Sequence, residues 1–222
     1  MSVLVLLAHL WRRHGLALVW LATANGLFEW AITRVVPDPS QTGFVRQILQ
    51  MAPAPVRVFV NQEIFANLTT QGFLGFGYVH PFLLLLLAVW AVRVAADALA
   101  GEVGRGTIDL IGSRPVARAS QVTAAAIALL AGLTLIAGGA WVGTAVGLRS
   151  RPLEGVTAVD LAPVAAMALL LFAVFAAIAL LVSAAKRESG AAVSWCAAIV
   201  AGSYVVDYLA RVWSTIGFLR PL

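Results

Sequence analysis

The sequence predicts an all-α integral membrane protein, a polytopic helical bundle, and three observations carry that expectation. Of 222 residues, 61% are hydrophobic and only 11% charged, where a soluble domain of this size holds about a quarter charged residues. The apolar residues gather into five long runs, each close to the length that a hydrocarbon core of about 30 Å requires at about 1.5 Å per residue. Between the runs lie connections that collect Gly, Pro and charged residues, so the whole chain reads as one membrane domain, 1–222.

In residues 1–14, Val3, Leu6, Leu7, Leu10 and Trp11 recur at helical spacing, with Arg12, Arg13 and His14 at the end. This pattern predicts an interfacial elbow helix. A secretory signal cut after Ala22-Thr23-Ala24 is the rival reading, but the apolar run continues past that point to Ile32. Residues 15–32 form the first crossing, with Glu29 near its outer end. A carboxylate at membrane depth is a pathway candidate, but one so near the interface is expected to face water or a helix end.

Residues 33–72 make a long external segment broken by prolines at 37, 39, 53 and 55. Within it, Gly43 to Met51 is amphipathic, suited to the outer headgroup layer or to a lid. The second crossing, 73–100, holds Pro81, which either starts or kinks its helix. It also holds Arg93, whose insertion costs roughly 2.5 to 3.5 kcal/mol, about what Leu83 to Leu87 return. Asp97, four residues on, is expected to pair with Arg93 on the same helical face.

The third crossing, 119–147, carries Gly139, Gly143 and Gly147 at intervals of four, a smooth strip for close helix packing within the subunit or across a dimer. The fourth crossing is 161–183. Lys186, Arg187 and Glu188 form a short turn, and the fifth crossing, 190–210, has Tyr204 and Tyr208 suited to an aromatic belt and Asp207 near the outer surface. Basic residues divide evenly between the two sides, so charge does not set the orientation.

A net charge of +5 and a pI near 10.3 raise nucleic acid as a partner, but the basic residues are spread along the chain and fit anionic lipid headgroups better. Cys196 stands alone in an apolar run, which excludes an internal disulfide and a cysteine metal cluster. The single lysine, Lys186, follows Ala185, so there is no phosphate loop ending in Gly-Lys-Ser/Thr and the chain is not itself an ATPase. It has no Gly-x-Ser-x-Gly elbow and no His-Glu-x-x-His pair, and no catalytic or metal-binding residue is expected.

The connection 101–118, GEVGRGTIDLIGSRPVAR, is unlike the others. Gly104 and Gly106 loosen the backbone, and Thr107 is placed to cap a short helix from Ile108 to Ile111. Asp109 falls in its first turn, where the helix dipole favours a carboxylate, Gly112 ends it, and Pro115 prevents its continuation. The series Glu102, Gly106-Thr107, Leu110, Arg114-Pro115-Val116, Arg118 resembles the intracellular signature of ATP-binding cassette (ABC) transporter permeases of the type-two export class.

The resemblance implies that Glu102, Gly106, Thr107, Asp109, Arg114, Pro115 and Arg118 contact a separate ATPase subunit through a cytoplasmic coupling helix. It implies that ATP and Mg are used by that partner and no cofactor is bound by this chain. It also implies pairing with a second permease copy or a paralogue, in a bacterial cytoplasmic (inner) membrane, with the amino terminus in the cytoplasm. The family ordinarily has six crossings, and five are read here, so either the sequence is shortened or its carboxyl end differs from the family. The other function weighed is an ion-coupled secondary carrier or channel using Arg93, Asp97 and Glu29.

Overall fold

Residues 3–36, 69–107 and 117–212 are described in the computed structural model, and their regular structure is entirely helical. Helix α1 spans Val3–Val35, α2 Thr70–Val79, α3 Pro81–Ala98, α4 Ala100–Gly104 and α5 Arg118–Ser150. A 3-10 turn at Ala158–Leu161 leads into α6, Ala162–Ala185, and α7 covers Ser189–Val212. Counting α2 and α3 as one crossing, five helices among the described residues are long and apolar enough to span a membrane.

α1 is unbroken, so the separate interfacial helix expected over 1–14 is not seen: residues 3–14 and 15–32 belong to one rod of 33 residues. The only break signal at the junction is Gly15, and one helical glycine costs just about 1 kcal/mol against alanine. Its inward face carries His14, Leu18, Asn25, Glu29 and Thr33, while Leu16, Val19, Trp20 and Leu27 point outward. Polar groups inside and apolar groups outside is the arrangement a lipid-facing helix requires.

At Pro81 the chain does both things the sequence allowed. α2, capped by Thr69, ends at Val79, and Pro81 opens α3 as its first residue, with His80 Nδ1 accepting from the Phe82 amide at 3.2 Å. The proline has no N–H to lose there, so it bends the crossing without an unpaired donor.

The glycine strip packs on α1 of the same chain. A Cβ on Gly139 would lie 2.7 Å from the Ala22 carbonyl oxygen, one on Gly143 2.0 Å from that of Gly26, and one on Gly147 2.1 Å from Thr33 Oγ1. These pairs ascend together, so α1 and α5 are parallel and closer than any larger residue would permit. Their shared far end is tied by Arg34 to Ser150 Oγ at 2.7 Å and by Arg151 to the Arg34 carbonyl at 2.8 Å.

α6 returns alongside α3 and α5, burying Ala165, Ala168, Phe172, Ala176, Ala179 and Ser183 at helical spacing. Trp90 of α3 fills the space left by Gly132 of α5 and donates from Nε1 to the Leu129 carbonyl at 3.1 Å. Aromatic bulk set against glycine is how this helix pair interlocks.

Candidate functional site

The first group of functional side chains sits where α1, α3 and α4 meet. Leu99, with φ −121° and ψ −68°, separates α3 from α4 and leaves the next amide without a helical partner. Ser183 of α6 supplies it: its hydroxyl accepts from the Ala100 amide at 3.0 Å and donates to the Ala96 carbonyl at 3.3 Å. The start of the 101–118 connection is thereby fastened to α6.

Glu102 fastens it to α1. Its carboxylate pairs with Arg105, accepts from Arg13 Nη1 at 3.4 Å and is met by the Thr107 hydroxyl. Gly106 turns the chain with φ +69°, a left-handed conformation that glycine adopts without strain. Burial pushes the Glu102 carboxyl up, but the Thr107 and Arg105 hydrogen bonds and the charges of Arg105 and Arg13 outweigh it and hold it below its ordinary 4.5. Thr107 was expected to cap a helix over 108–111; its hydroxyl instead points back to Glu102. That helix, Asp109, Arg114 and Pro115 lie outside the described residues, as do the side chains of Arg118 and Asp207 and all of the Gly43 to Met51 piece.

Asp97 does not pair with Arg93. It faces α1 and meets Arg13 Nη2 at 3.7 Å and His14 Nε2 at 3.8 Å, whereas Arg93 is exposed on the outer side of α3 and forms no ion pair among the described residues. The i,i+4 geometry permits a local pair, but the cation on the neighbouring helix lies on the inward side to which Asp97 is turned. His14, read as an edge residue, is buried with its ring edge-on to Trp90 at 6.4 Å.

The second group was largely missed. Glu29 was expected to face water or a helix end; it is 0% exposed, enclosed by α1, α2 and α5. Its Oε2 lies 3.4 Å from Thr144 Oγ1, which in turn is 2.8 Å from the Tyr78 hydroxyl, so one polar chain links three helices. Oε1 and both side-chain polar atoms of Asn25, one turn earlier, have no hydrogen-bond partner among the described residues. Gly77 makes room for the carboxyl, since a Cβ there would stand 2.6 Å from Oε1. The available signal was Asn25 at i−4 from Glu29 inside an apolar run. Glu29 and His14 are fifteen residues apart on α1, roughly 22 Å, so Glu29 and the Asp97 cluster sit at different levels of the bundle.

Among the described residues there is no group of three or more His, Cys, Asp or Glu able to hold a metal. A bundle of membrane-length helices that buries His14, Asn25, Glu29 and Thr144 between them is a polytopic membrane protein. The family model for ABC-2 family transporter proteins matches residues 25–216, and the chain belongs to that family. Comparison with curated proteins and with solved structures finds no match.

Proposed function

We propose that this chain is the membrane-spanning permease subunit of an ATP-driven exporter in the bacterial cytoplasmic membrane, with its amino terminus on the cytoplasmic side. The family supplies the class, an ABC permease. Separate ATPase subunits bind ATP and Mg and dock on segment 101–118, where Glu102, Gly106, Thr107, Asp109, Arg114, Pro115 and Arg118 make the contact. A second copy or a paralogue completes the translocation route, because the five crossings among the described residues are few to enclose one.

The observation that carries this reading is the double attachment at the start of the segment. Glu102 is held by Arg13 of α1 and Ala100 by Ser183 of α6, so a displacement of the segment is passed to two crossings at once. Two fixed links at a helix joint are what a rigid-body switch between two packings needs.

The test is affinity purification of the tagged chain from its native membranes, with nucleotide hydrolysis measured in the eluate. An ATPase bearing a phosphate loop should accompany the wild-type chain, and Glu102→Arg and Arg114→Ala should lose the ATPase, the hydrolysis, or both. Unchanged co-purification and hydrolysis in both variants removes the assignment.

A further inference from the structure

We propose that Glu29 is a proton-binding site built into the contact between α1, α2 and α5, neutral in the packing described here and ionised only when those helices part. The inference stands on the geometry of the bundle, whether or not an ATPase drives the chain.

A fully buried carboxylate needs either a counter-charge or a proton, because leaving an ion unpaired in a low-dielectric interior costs far more than neutralising it. No ion pair to Glu29 exists among the described residues. The described charged groups nearest it on these helices are engaged or exposed elsewhere. On α1, Arg34 binds Ser150 and lies over the Trp30 ring, and Arg13 and His14 are at the opposite end with Asp97. Just past the end of α5, Arg151 donates to the Thr33 and Arg34 carbonyls, and on α5 Arg149 is exposed. Between α2 and α3, His80 packs on Phe28 and Phe76; on α3, Arg93 is exposed and Asp97 pairs with α1. Tyr78 is the titratable group that reaches the site, through Thr144.

A metal cation in place of the proton would need space at the free oxygen. Oε1 is instead pressed on Gly77, so closely that a methyl there would overlap it. A proton takes no such volume. Thr144 then lies between two groups that each bear a hydrogen, Glu29 and Tyr78, and its hydroxyl can serve both as donor and acceptor. Ionisation would leave a charge whose only hydrogen-bonding neighbour among the described residues is this one hydroxyl, which favours separation of α1 from α2 and α5 and entry of water.

The sign follows from linkage: the packed state binds the proton, so packing is favoured at low pH and weakened as pH rises. The full chain in lipid nanodiscs should lose thermal stability as pH rises from the ionisation point of the parted state towards that of the packed state, by about 3–5 °C per pH unit, the slope expected for one proton in a chain of this size. Glu29→Gln, which mimics the neutral form, should remove that slope. An infrared carboxylic C=O band should be present at neutral pH in the wild type, absent in Glu29→Gln and shifted in Thr144→Val. The infrared comparison of wild type with Thr144→Val serves if Glu29→Gln does not assemble. Equal pH slopes in wild type and Glu29→Gln, no band sensitive to position 29 or 144, or saturable stabilisation by one alkali cation that Glu29→Gln abolishes would each overturn the proposal.

Discussion

Gly77 lies against the carboxyl of Glu29, with the site of a would-be Cβ 2.6 Å from Oε1 and 2.7 Å from Oε2. Glycine at this position in the bent second crossing is therefore a packing requirement set by a side chain on the first. Gly77→Ala should cost about 1–3 kcal/mol, because Glu29 is enclosed and can withdraw only by giving up Thr144. The cost should largely vanish in a Glu29→Ala background, where the vacated volume accepts the methyl. Thermal unfolding of the four proteins in one detergent measures the coupling, and equal costs in both backgrounds would count against the contact.

The glycine strip gives a sharper contrast. A Cβ on Gly143 meets backbone, 2.0 Å from the Gly26 oxygen and 2.7 Å from its carbonyl carbon, so neither partner can yield by rotating a side chain. Gly143→Ala should force α1 and α5 apart and destabilise the chain by about 1–3 kcal/mol or more. Gly138, on the same helix, has nothing within 4 Å of its Cβ position, and Gly138→Ala should leave stability equal or higher, since alanine is the better helix former. The two unfolding midpoints, compared directly, decide whether spacing along the strip or mere glycine content holds the pair.

The class of fold was legible in the sequence because it depends on composition and run length, which the bilayer enforces element by element. The interval of Gly139, Gly143 and Gly147 announced a close helix contact, though not its partner; that Ala22, Gly26 and Thr33 receive it depends on tertiary packing. The charged residues were read less well, for one reason. Helical spacing suggested that Asp97 would pair with Arg93, and closeness to the end of the run that Glu29 would face water or a helix end, but both side chains answer to neighbouring helices. Arg13, eighty-four positions before Asp97, supplies its partner, and Gly77 and Thr144 enclose Glu29. Local spacing carries no record of such contacts. Likewise α1 runs straight through the expected elbow because Gly15 alone is too weak a breaker.

Ser183 is a polar residue whose role shows only in the assembled bundle. Its hydroxyl is buried and is the hydrogen-bond partner of the Ala100 amide at the break after Leu99. Ser183→Ala should strand that amide, at a cost of about 1–3 kcal/mol. Native-state hydrogen exchange at Ala100 should accelerate by more than the global stability change explains, and the effect should be local to residues 96–104. Exchange at Ala100 that tracks only global unfolding would assign the hydrogen bond no part in holding the joint.

Glu102 is expected to impose a pH dependence on the same joint, with the opposite sign to that of Glu29. Its carboxyl is held below the ordinary value, burial being outweighed by Thr107, Arg105 and Arg13, so the folded state favours the ionised form. The stabilisation is complete above the unfolded value near 4.5 and is lost as pH falls through the lower folded value. Because the Arg105 and Arg13 side chains remain partly exposed, the contribution is screened and should stay below about 1 kcal/mol. Glu102→Gln keeps the shape and removes the charge. At neutral pH the amides of Arg105 and Gly106, bonded to the Gly101 and Val103 carbonyls, should exchange faster in the variant than in the wild type. Comparing the two proteins at each pH cancels the intrinsic pH dependence of exchange, and their difference should shrink as the wild-type carboxyl is protonated. A difference that persists unchanged under acid would mean that shape, not charge, ties the segment to α1.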